Sequence, residues 1–159
     1  MIDVGRLYVG YEFDRAIKIN LGRFHAPAGY FTRVYHHGLY QMTPVYRPKI
    51  IEFHRGPTPI HFVGIEAEGK LPLPLNPGYV IDFGNGNLHF GSSNVLDFDK
   101  YKSFVANAYI SPVDFSEIGL FGGYDPFYHK NLTFIAPSFF GASLAYDRPG
   151  GLQAISEGF

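Results

Sequence analysis

The chain has 159 residues, 18% of them aromatic and only 17% charged, with a formal net charge of -1. That length carries one domain, and so balanced a charge withholds the electrostatic grip that nucleic-acid binding needs. Cysteine is absent, which excludes a disulfide framework, a thiolate metal site and a cysteine nucleophile.

In chain order the residues alternate rather than follow a helical period. No window offers apolar residues at i, i+3, i+4 and i+7 free of Gly, Pro or an aromatic β-former. Leu7, Val9, Tyr11 and Phe13 share one face of a first strand, opposite Arg6, Tyr8, Gly10 and Glu12. Ile17, Ile19 and Leu21 then alternate with Lys18, Asn20 and Gly22; Val63, Ile65 and Ala67 with Gly64, Glu66 and Glu68; Tyr79, Ile81 and Phe83 with Val80, Asp82 and Gly84. From Lys102 to Ser111 the two faces are similar in character, so the pattern does not choose between them. Ile118, Leu120, Gly122 and Tyr124 oppose Glu117, Gly119, Phe121 and Gly123, and Phe140, Ala142, Leu144 and Tyr146 oppose Gly141, Ser143 and Ala145. With a weak last segment from Leu152 to Phe159, about eight strands are expected in one all-β domain over 1–159.

The connections alternate in length. Short ones follow the first, third, fifth and seventh strands, and long ones cover roughly 25–60, 85–101 and 125–137. Outer-membrane barrels behave in this way, with short turns at one rim and long loops at the other. Alternation alone fits either a soluble β-sandwich, with its apolar face buried on a second layer, or a membrane barrel, with its apolar face toward lipid. The longest run without Asp, Glu, Lys or Arg, Asn131 to Tyr146, is interrupted by Pro137 and falls short of a membrane helix of about 18 apolar residues. A spanning strand needs only about ten. Tyr8, Tyr11, Phe13, Phe24, Tyr79, Phe83, Tyr124, Phe127, Phe139 and Tyr146 gather near predicted strand ends, as an aromatic girdle would.

The stretch from Ile19 to Pro48, INLGRFHAPAGYFTRVYHHGLYQMTPVYRP, resembles the signature region of porin-like bacterial outer-membrane β-barrels related to phosphate-selective porins. TPIHFVGIEAEG, YVIDFGNGN, and YKSFVANAYISP followed by EIGLFGGYD continue the resemblance in order through Asp125. It implies an antiparallel up-and-down transmembrane barrel in the bacterial outer membrane, in contact with lipid and lipopolysaccharide. Function would be passive diffusion of small hydrophilic solutes, with a homotrimeric assembly. Members are much longer, with roughly twice this many strands, and Met1 to Arg6 lacks the basic and apolar regions of a signal peptide. The chain is therefore expected to be an internal piece of a larger barrel, although a closed barrel of about eight strands is physically possible. The runner-up is a soluble β-sandwich module holding carbohydrate on loop aromatic and histidine residues.

Little here points to catalysis. His25, His36, His37, His54 and His61 lie in or beside the longest loop, but adjacent histidines of an extended chain point apart and no His-x-x-x-His element accompanies them. Glu66 and Glu68 share a predicted face, a spacing near some glycosidase pairs, yet charge solvated in a lumen explains them more simply. No Gly-x-Ser-x-Gly elbow is present. No enzyme activity, cofactor or metal is expected. Arg6, Lys18, Arg23, Glu66 and Asp82 are the expected pore-lining residues. The loop from His25 to Ile60 holds Arg33, Arg47, Lys49 and Arg55 against the lone acid Glu52. If it folds inward, as the resemblance implies, Arg33 and Arg47 would form a constriction favouring anions. The competing expectation is that these arginines brace the loop against Glu12, Glu66 or Asp82, or meet lipopolysaccharide outside.

Overall fold

The computed structural model describes residues 6–35, 61–85, 101–128, 134–135, 138–151 and 153–158. All eight expected strands form: β1 (Leu7–Asp14), β2 (Ile17–His25), β3 (His61–Lys70), β4 (Gly78–Asn85), β5 (Ser103–Ile110), β6 (Ser116–Tyr124), β9 (Ser138–Asp147) and β10 (Gln153–Gly158). Three elements were not anticipated. The helix α1 (Gly29–Val34) follows β2, and a two-stranded ladder of β7 (Phe127–Tyr128) and β8 (Phe134–Ile135) lies between β6 and β9.

The eight main strands make one antiparallel sheet in the order β1-β2-β3-β4-β5-β6-β9-β10, every neighbour also next in sequence apart from the β7–β8 excursion. The four short connections all fall at one rim and the long ones at the other. Asp14 closes the tightest turn by accepting from the amides of Ala16 and Ile17 at 2.7 and 2.9 Å, the local bonding for which aspartate is favoured in turns. Leu75, Asn76, Phe115 and Gly150 take the left-handed conformation that these reversals need. Neighbouring turns also bond to one another. Lys70 N donates to Arg15 O, Ser111 N to Leu75 O and Asp147 N to Phe115 O, at 2.7 to 2.8 Å. The ladder therefore continues past the strand ends and binds the short-turn rim into a belt.

Register assigns every side chain to a face. Pairings such as Asn20↔Glu66, Glu66↔Asp82, Asn107↔Phe121 and Gly119↔Ser143 place the small, polar and charged residues on one side. This also settles the expectation left open for β5: Ser103, Val105, Asn107 and Tyr109 are its buried row. The opposite side is apolar and open. Leu7 is 72% exposed, Leu120 68% and Phe140 81%, and Leu21, Ile65, Phe83, Phe104, Ile118 and Leu144 are exposed with them. Near the long-loop rim that exposure ends: Arg23 and His25, in the register row of Leu21, are buried.

The sheet is curled around its polar face. Flat, eight strands would set the two edges about 34 Å apart. Yet the six residues of α1, about 9 Å of helix, connect them: Arg6, beside β1, donates to Arg33 O, while the Phe31 amide donates to Glu157 on β10. The result is a trough with α1 inside. Beneath the start of α1 a compact apolar cluster of Phe24, Ala26, Ala28, Phe62, Val105, Phe121 and Phe139 forms the core. Strands β1 and β10 do not pair with each other, so the sheet is not closed.

Candidate functional site

Among the described residues, charged side chains converge on the trough's polar face. Its first half is a hydrogen-bonded row across β2, β3 and β4. Lys18 Nζ donates to Glu68 at 2.6 Å, and the Asn20 amide donates to Glu66 at 2.7 Å and to Glu68 at 3.1 Å. Directly across from Glu66 stands Asp82, 0% exposed, with no donor on either carboxylate oxygen among the described residues. Like charges set opposite each other in a sheet repel, and a buried carboxylate lacking donors is costly. Stability alone therefore does not account for the row. Asn107 and Ser143 continue the polar surface over Gly119, where an added Cβ would come within 2.8 Å of Ser143 Oγ and 3.2 Å of Asn107 Oδ1. Glycine at 119 is what lets these two groups approach.

The second half is organised by α1. Its sequence, GYFTRV, has no side-chain N-cap, and so short a helix is unstable alone. Partners distant in sequence hold it instead. Glu157 Oε1 accepts from Phe31 N at 2.8 Å, placing a carboxylate at the helix start, where anions are favoured. Gly29, at φ +88°, passes so close to Glu157 that a Cβ would lie 2.6 Å from its carboxylate. The Arg33 guanidinium reaches both oxygens of Glu117 at 2.5 Å and lies 4.6 Å from the centroid of the Tyr109 ring. Tyr30 and Tyr35 both donate to Asp147, which also accepts from Gln153. Burial, reinforced by the bond to Asp147, holds the Tyr30 hydroxyl above its ordinary pKa. The helix is thus a strap tied to β6, β9 and β10 across the trough.

Beyond the strap, at the short-turn rim, the trough opens into a cavity of about 860 Å³ lined in part by Asp14, Lys70, Asp114, Glu117 and Asp147, with Tyr30 at its inner side. At the opposite end the Arg6 guanidinium donates to His25 Nδ1 at 3.0 Å, and the His25 and His61 rings lie 5.1 Å apart. Among the described residues no group of three or more His, Asp or Glu side chains is placed to hold a metal ion.

Of the residues singled out from sequence, Lys18, Glu66 and Asp82 stand on the polar face, and Arg6 reaches into the trough through Arg33 O. Arg33 lies in the strap, but its brace is Glu117 rather than Glu12, Glu66 or Asp82. Arg23 takes the register row of Leu21, opposite Leu7, yet is buried at the long-loop end of β2 beside Phe24 and His25. Phe24 and Phe139 are corrected, since both are buried in the core cluster under α1 rather than ringing the outside. Arg47, His36, His37 and His54 lie outside the described residues. Glu117, Asp147 and Glu157 were missed. The available signal was their parity: each is an acid in the inward register of a strand otherwise free of charge on that face.

No protein-family model, no curated protein and no solved structure matches this chain.

Proposed function

We propose that this sheet is wall of a bacterial outer-membrane β-barrel of the porin-like kind, through which small hydrophilic solutes pass by passive diffusion. The observation that carries the reading is the inversion of polarity: a wide apolar face open on the outside, with charged and amide side chains buried on the inside. In water, an exposed apolar surface of that extent is avoided; against hydrocarbon it is what a spanning strand requires. Strand length agrees. The ten residues of β9 extend about 34 Å and, tilted as barrel strands are, rise about 25 Å, the height of an outer-membrane apolar band.

The strap gives the trough a narrowing, which is what a diffusion channel needs besides a polar lumen. Lipid and the outer leaflet's lipopolysaccharide are the surroundings in this reading, and the homotrimer follows from the sequence resemblance. The direct test is to extract the protein in detergent and compare its electrophoretic migration with and without boiling, then record from it in planar bilayers. Heat-modifiable migration with stepwise conductance is the expected result. A protein that remains soluble and folded without any amphiphile refutes the proposal.

A further inference from the structure

We infer that the lumen prefers cations, an inference that rests on the channel reading above and adds the charge of its solutes. The described polar face and strap bring together the carboxylates of Glu66, Glu68, Asp82, Glu117, Asp147 and Glu157 against the cations Arg6, Lys18 and Arg33. Two of those cations are spent locally, Lys18 on Glu68 and Arg33 on Glu117. The donors that meet Glu66, Asp147 and Glu157 are neutral: an asparagine amide, tyrosine hydroxyls with a glutamine amide, and a backbone N–H. Neutral donors orient a carboxylate without cancelling its charge.

Asp82 adds a second, independent observation. It is fully buried, faces Glu66 in register, and has no donor on either oxygen among the described residues. Two carboxyls so placed share a proton, and the pair keeps one negative charge that, among the described residues, meets only the neutral Asn20 amide. The cavity at the short-turn mouth repeats the bias, with Asp14, Asp114, Glu117 and Asp147 in its lining against Arg15 and Lys70. Fixed charge beside a low-dielectric wall concentrates the opposite ion, so potassium enters and chloride is held back. The anion preference expected from sequence relied on Arg23 and the loop cations; of these Arg23 and Arg33 lie among the described residues, and Arg33 is paired with Glu117.

The experiment is the reversal potential of the full-length protein in a planar bilayer under a KCl gradient. The expected potassium-to-chloride permeability ratio is above about 2, falling toward unity between 0.1 and 1 M salt, as the screening length shortens from about 10 to about 3 Å. Glu66→Gln with Asp82→Asn should bring the ratio at least halfway to unity, and Lys18→Gln should raise it. A wild-type ratio at or below unity overturns the inference while leaving the channel intact. So does a ratio unchanged by the double substitution. Absence of conductance overturns the channel reading, and the selectivity with it.

Discussion

Leu120→Arg separates a lipid-facing wall from a water-facing one more cleanly than any other single substitution. Leu120 stands at the centre of β6, on the apolar face, 68% exposed. Only about a third of the side chain packs against neighbours. Burying a leucine wholly is worth about 1.5–3 kcal/mol, so the packing lost is about 0.5–1 kcal/mol. In water, the arginine would add nothing further, because exposed substitutions usually stay within about 0.5 kcal/mol. In a bilayer it would sit near the midplane, where a lipid-facing arginine costs about 2–4 kcal/mol. The membrane reading thus predicts a loss of about 2.5–5 kcal/mol, at least about seventyfold in the folding equilibrium. The assay is urea titration of protein refolded into phosphatidylcholine vesicles, followed by the fraction migrating as the unboiled compact band; the protein has no tryptophan to report by fluorescence. Tyr124→Arg, at the rim end of the same strand and face, should lose only about 0–1 kcal/mol beyond packing. Equal, small losses at both positions would refute the depth argument.

Further substitutions probe the interior. Phe62→Ala, at a residue 0% exposed in the cluster beneath the strap, should cost about 3–5 kcal/mol in the same titration. Gly29→Ala forces a Cβ onto the Glu157 carboxylate at φ +88° and should cost about 1–3 kcal/mol, seen as faster proteolysis within 26–35 while the barrel band stays compact. Tyr30, with its pKa raised in the fold, contributes stability that is fully present below the ordinary tyrosine pKa of about 10 and lost as pH rises through the raised value. An ultraviolet titration should accordingly show a late-ionising limb in the wild type that loses one phenol in Tyr30→Phe. Superimposable late limbs would refute its burial.

The strands were legible because period-2 alternation is a local signal, and each of the eight lies within a few residues of its expected bounds. Alternation put Lys18, Glu66, Glu68 and Asp82 on polar faces; the setting of Lys18 against Glu68 and Glu66 against Asp82 came only with the register. The wet face was not legible, since Leu7-Tyr8-Val9 reads identically whether leucine meets lipid or a second sheet. For β5, Ala106 and Ala108 offered too little contrast with Val105 until Asn107 and Tyr109 fixed the inner row. The strap was invisible for another reason: GYFTRV carries no helical period, and its ties to Glu117 and Glu157 span 84 and 126 residues.

The strap also bears on how far the sheet can curl. Eight strands rolled shut leave an interior just sufficient for their own side chains, whereas a helix with its side chains is about 10 Å across. With α1 lodged where those side chains would meet, β1 and β10 cannot come together without expelling it and breaking the Arg33–Glu117 pair. The helix acts as a wedge that sets a minimum circumference. On the channel reading proposed above, a closed wall that keeps α1 in place would need extra staves between the two free borders, and their number would set the bore left beside the wedge.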